Sequence, residues 1–193
     1  KTLMSLACAA AVLLDDATYN LHMESAIRRA KSMNYDQSTG TRVTPPLKVA
    51  RVFIVVTPAN VLGQWKETLK GVINDMDGFY RPGVSERERT KVWDTSLTKK
   101  EADANTQPIV KGMLQNASES QVPTFILVGK SDKLKDLLTG SGDVDYMGAI
   151  YDEHHTTYVP KKAHAHLFSK CEGCTFIAQA TMRSLDAAFY TKD

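Results

Sequence analysis

The chain is short of cysteine. Cys8, Cys171 and Cys174 are the only three, which does not make a disulfide framework, so a reducing compartment is the expectation. Charge of one sign is also lacking. With 24 Lys and Arg against 22 Asp and Glu, the net charge is +2, too small to argue for nucleic acid by itself; any such site has to come from local arrangement. No apolar run has the length of a membrane span. The apolar stretch at 3–14 is about a dozen residues against the ~20 a spanning helix needs, so no membrane partner is expected. Internal repeats and low-complexity tracts are absent as well. What is there is ordinary for a soluble globular protein: 193 residues, 42% hydrophobic and 24% charged, enough for one domain with a substantial core.

The first residue is Lys1, not Met, and the true N-terminus is expected upstream. Residues 3–14 have two readings that the segment alone leaves even. One is a secretory signal, with a charge before an apolar stretch of small residues. The other is a core helix, apolar all round because the domain buries it, ending at Asp15-Asp16. Residues 17–33 then carry Leu21, Met23, Ile27 and Ala30 among charges, as an amphipathic helix does. Residues 34–48 are rich in turn formers and read as a surface loop.

Four stretches read as strands. Residues 51–57 (Arg-Val-Phe-Ile-Val-Val-Thr) are β-branched, continuous and closed by Pro58. Residues 123–128 end at Gly129-Lys130-Ser131, and residues 146–151 end in Asp152-Glu153-His154-His155. Residues 175–180 end at Thr181. Between them lie helical patterns. One has Val61, Leu62, Trp65, Leu69, Val72, Ile73 and Met76 on a stripe with Asn60 as N-cap; a shorter one runs through Leu134, Leu137 and Leu138. Trp65 on that stripe is expected in the core. Residues 77–121 mix charges of both signs and are expected as a solvated face or charged insert. Strands alternating with helices give an α/β domain with a mainly parallel sheet. The polar ends Thr57-Pro58, Lys130-Ser131, Asp152-Glu153 and Thr181 then share its carboxyl edge, where such sheets bind ligands. An Asp-Glu pair there can hold hydrated magnesium with one carboxylate and polarise water with the other.

In order and spacing these pieces resemble the first RecA-like domain of superfamily 2 helicases and translocases, the Swi/Snf type above all. Val55-Val-Thr-Pro-Ala-Asn-Val-Leu-Gly-Gln-Trp65 looks like motif Ia, Tyr151-Asp-Glu-His-His155 like the D-E-x-H box, and Gln179-Ala-Thr181 like motif III. Lys1-Thr2 with the apolar helix behind it looks like the end of a P-loop, which favours the core helix over the signal. The departures are His154 where alanine is usual, Gln179 before Ala-Thr, and the charged stretch before residue 123.

The resemblance implies a RecA-like P-loop domain over residues 1–193, a mainly parallel sheet flanked by helices on both faces. The domain would be incomplete within its P-loop and without the second RecA-like domain it works against. It implies ATP and magnesium as cofactors. Lys1 would meet the phosphates, Thr2 and Asp152 would hold the metal, and Glu153 would deprotonate water. His155 would couple the site to Ala180 and Thr181. Pro58, Gln64 and Lys130 would touch a nucleic-acid backbone, double-stranded DNA for the Swi/Snf type. An intracellular location follows, nuclear in a eukaryote, and these residues alone would bind ATP weakly and hydrolyse it negligibly.

A different class stays open: a degenerate RecA-like module acting as an interaction scaffold without ATPase activity. A nucleotide kinase is disfavoured by the Gln64-Trp65 helix, which has no role in kinase chemistry. Outside the family pattern, His164, His166, Cys171 and Cys174 have half the spacing of a structural zinc site. Reduced, unliganded thiols are the other reading.

Overall fold

A computed structural model describes residues 2–33, 35–36, 41–42, 48–141, 144–152 and 175–178. From the amino end, α1 (Thr2–Leu14) and α2 (Asp16–Met33) precede a short antiparallel pair, β1 (Tyr35–Asp36) and β2 (Thr41–Arg42). There follow β3 (Lys48–Val56), α3 (Leu62–Tyr80), β4 (Lys91–Asp94) and α4 (Lys99–Ala104). A 3-10 turn (Val110–Gly112) leads into α5 (Met113–Ser120), β5 (Thr124–Val128) and α6 (Ser131–Thr139). The last strands are β6 (Val144–Asp152) and β7 (Thr175–Ala178).

Five strands pair in the order β4-β5-β3-β6-β7, and every neighbouring pair is parallel. The fold is therefore α/β, and it is consistent with a RecA-like domain. Both faces are covered. Ala50, Val52, Ile54 and Val56 of β3 join Leu114, Ala117, Leu134 and Leu137 from α5 and α6 in one core. Val49, Phe53 and Val55, on the opposite side of the pleat, join Leu6, Leu13, Trp65, Leu69 and Ile73 from α1 and α3 in the other. Burial on both faces is why β3 and β5 read as continuous apolar runs rather than alternating ones. Each large side chain so buried contributes about 1.5–3 kcal/mol relative to exposure.

Arg51 is the charge that interrupts β3, and it is 7% exposed. Its Nε donates to the Leu13 carbonyl at 2.6 Å and its Nη2 to that of Leu14 at 3.0 Å. The guanidinium also pairs with Asp16 at 2.7 Å and lies 4.6 Å from the Tyr19 ring centre. The last carbonyls of a helix have no partner within it, and a fixed cationic fork both satisfies them and complements the helix dipole. Arg51 thus ties the end of α1 to the middle of the sheet.

The structure differs from the sequence reading at several points. Residues 34–48 contain β1 and β2, and β3 begins at Lys48, not at residue 51. Asn60 does not cap α3. The capping position is Val61, with no side-chain bond, and its backbone N–H donates to the Pro58 carbonyl at 3.1 Å. Helix α1 is buried on one side only, since Leu6, Ala9, Ala10, Leu13 and Leu14 are covered while Met4 is 73% exposed. The expected surface insert at 77–121 supplies a strand of the main sheet, β4, and a core helix, α5. Most of its charges are exposed, but Asp77 and Asp94 are buried, 4% exposed each.

Candidate functional site

The carboxyl ends of the strands form one level edge. Val56 is in register with Val128 of β5 and with Tyr151 of β6, and Asp94 of β4 is in register with Leu127. One step on stand Thr57, Gly129 and Asp152, while Thr95, just after β4, is level with Val128. The backbone is drawn together there: Thr57 N–H donates to the Val128 carbonyl at 3.0 Å, and Thr95 N–H to that of Leu127 at 3.0 Å.

Asp152 closes β6 and is 8% exposed. Its Oδ2 accepts the indole N–H of Trp65 at 2.5 Å and the hydroxyl of Thr57 at 3.2 Å. Burying a carboxylate is costly unless hydrogen bonds compensate, and bonds to a charged acceptor are the strong kind. Two donors from two other elements therefore fix the orientation of this side chain. Trp65 reaches it because Leu62, Trp65, Leu69 and Ile73 form the buried stripe of α3, whose first turn sits directly after β3. Gly129 lets that turn close down. A Cβ there would meet Leu62 Cδ1 at 2.6 Å and Ala59 Cα at 3.3 Å.

A second charged contact lies further along the edge. Lys66 Nζ pairs with Asp94 Oδ2 at 3.3 Å, and Asp94 Oδ1 accepts from the backbone N–H and hydroxyl of Ser96 at 2.8 and 2.7 Å. Asp94 is 4% exposed.

Helix α1 packs on the same face of the sheet as α3, and its last carbonyls are held by Arg51, in the middle of β3.

Of the residues singled out from the sequence, the structure brings Pro58, Lys130 and Asp152 to this edge. Pro58 is half-buried, and Gln64 and Lys130 are exposed. Thr2 opens α1, but its side chain lies outside the described residues. So do Lys1, Glu153, His154, His155, Ala180 and Thr181, together with the zinc candidates His164, His166, Cys171 and Cys174. Among the described residues no three His, Cys, Asp or Glu side chains gather as a metal cluster, and no helix is long and apolar enough to cross a membrane.

Sequence reasoning placed Trp65 in the core, where it is, and missed its contact with Asp152. The signal was available: a buried indole needs an acceptor for its N–H. Nothing local marks Lys66 for Asp94. No described protein family, no curated protein and no solved structure matches the chain.

Proposed function

We propose that the chain is the ATP-binding lobe of a nucleic-acid-dependent ATPase of the helicase or translocase type, coupling hydrolysis to movement on DNA. The observation that carries the reading is Asp152. It is a carboxylate at the carboxyl end of a central parallel strand, oriented by Thr57 and Trp65. Hard oxygen ligands at such a position fit magnesium held largely through water.

In this reading Thr2 and Asp152 hold the metal, Lys1 meets the phosphates, and Glu153 takes the proton of the attacking water. His155 links that site to Ala180 and Thr181. Bound magnesium would supply neutralisation of the charge that develops on the phosphoryl oxygens. Thr57 and Trp65 contribute preorganisation: the carboxylate does not have to be reoriented when nucleotide arrives. Pro58 and Lys130 on this edge, with Gln64 exposed on α3, would make backbone contacts to nucleic acid, which give affinity without sequence reading.

Titration of the chain with a fluorescent ATP analogue, with and without magnesium, tests this. Weak binding that needs magnesium and is weakened about tenfold or more by Asp152→Asn is expected. Binding identical in the two proteins, or none, overturns the ATPase reading. A second reading, an interaction scaffold without hydrolysis, is favoured by one feature: Asp152 is nearly covered and its Oδ2 already has two donors. On that reading Asp152→Asn lowers stability and changes no nucleotide titration.

A further inference from the structure

Three strand spacings from Asp152, about 14 Å along the same edge, α4, the Val110–Gly112 turn and α6 enclose a cleft of about 220 Å³. Its floor is apolar and includes Ala102 and Met113, 3% and 1% exposed, with Val110 beside them. Lys99, Lys111 and Lys133 stand around it, and Ile109 is an exposed apolar side chain at its mouth. Asp94 is the one acidic residue among those that line it. Its carboxylate is covered, paired with Lys66 and bonded to Ser96, so it does not neutralise the three lysines. The Glu101 carboxylate on α4 is turned back to Thr98, accepting from its backbone N–H at 2.9 Å and its hydroxyl at 2.6 Å.

The walls are held in place without a ligand. The Thr98–Glu101 capping box fixes the start of α4, and Gln107 Nε2 donates to the Asp94 carbonyl at 3.0 Å. The end of α6 lies against the 3-10 turn so closely that a Cβ on Gly140 would come within 2.5 Å of the Lys111 carbonyl oxygen. A preformed site loses less on binding than one that must be ordered.

We propose that this cleft docks a short acidic segment of a partner protein. Carboxylates of the segment meet Lys99, Lys111 and Lys133, and one aliphatic side chain is buried between Ile109 and the floor of Val110 and Met113. Charge complementarity selects the acid, and the apolar floor selects a peptide over a nucleic acid. A phosphodiester backbone has no aliphatic group to place there, and the cleft is lined by no aromatic side chain on which a base would stack. The site does not depend on the nucleotide reading, because it needs neither Asp152 nor ATP.

Fluorescence anisotropy with a short fluorescein-labelled peptide of alternating aspartate and leucine tests the proposal. Peptides of aspartate with serine and of lysine with leucine, and a DNA duplex, serve as comparisons. Saturable binding of the aspartate–leucine peptide is expected. Charge reversal at Lys99, Lys111 and Lys133 together should weaken it about tenfold or more, and Ile109→Asp about threefold. Both other peptides should bind more weakly. Absence of saturable binding overturns the proposal, as does binding indifferent to the charge reversals. Equal binding of the aspartate–serine peptide, or a duplex that binds and is lost on the same substitutions, also overturns it. Should the triple variant not fold, Lys99→Glu and Ile109→Asp, each at an exposed position, decide the matter singly.

Discussion

The indole N–H of Trp65 and the carboxylate of Asp152 meet at 2.5 Å although 87 residues separate them. The contact joins the first turn of α3 to the last residue of β6, and both partners are buried. Removing one partner leaves a buried charged acceptor short of a donor. Trp65→Phe keeps most of the ring and deletes the N–H, and it should cost about 1–3 kcal/mol in urea-induced unfolding. With Asp152→Asn in a double-mutant cycle, the pair should show a coupling of about 1 kcal/mol or more. A cycle that closes to zero would mean the bond contributes no net stability.

Arg51 offers a contrast between a buried and an exposed partner. Arg51→Met keeps the length and apolar contacts of the side chain but strips the Leu13 and Leu14 carbonyls of their donors. A loss of about 2–4 kcal/mol is expected. Arg51→Lys should recover only part of it, since an ammonium lacks the planar fork that reaches both carbonyls. Asp16, whose side chain is 74% exposed, should matter little: Asp16→Asn costs about 0.5 kcal/mol or less. Denaturant midpoints of the three variants check the order.

Two glycines should respond to alanine with opposite signs. At Gly140 a Cβ would lie 2.5 Å from the Lys111 carbonyl oxygen, and backbone is slow to yield, so Gly140→Ala should cost about 1–3 kcal/mol. At Gly71, inside α3, a Cβ meets nothing within 4 Å. Gly71→Ala restricts the unfolded chain and should stabilise by about 0.5–1 kcal/mol. Thermal melts of the two proteins should move in opposite directions, and a common direction would contradict the packing described.

Acid should weaken α4 through its capping box. The Thr98 hydroxyl, then its backbone N–H, hold the Glu101 carboxyl below its ordinary pKa of 4.5. A folded pKa lower than the unfolded one contributes stability that is complete above the unfolded value and is lost as pH falls through the folded one. Glu101→Gln should therefore reduce stability near neutrality and flatten its decline below about pH 4.5. Urea titrations at a series of pH values read this directly; parallel curves for the two proteins would contradict it.

The strands that were legible beforehand are those with strong local patterns. The run Arg51–Val56 has no helical period and no polar interruption beyond its first residue, so it could only be a strand buried on both faces. The stripe of Leu62, Trp65, Leu69 and Ile73 repeats at helical spacing and could only be one side of a helix. By contrast, β4 is four residues long, half-buried and at the edge of the sheet. Its Lys-Val-Trp-Asp, set among charges, is too short to show a period, and edge strands are commonly charged. The Val61 cap was equally illegible, because backbone geometry placed the helix start one residue beyond the asparagine that sequence preference favours.

By itself the sequence determined the class of the fold and the place of Asp152 at the end of a buried strand. Both follow from burial and periodicity, which are properties of consecutive residues. Only the tertiary structure decided which donors hold Asp152, that Arg51 closes the end of α1, and that three lysines from separate segments surround one apolar floor. Those pairings join positions far apart in the chain. They depend on how helices lie across the sheet, and no local pattern of side chains carries that information.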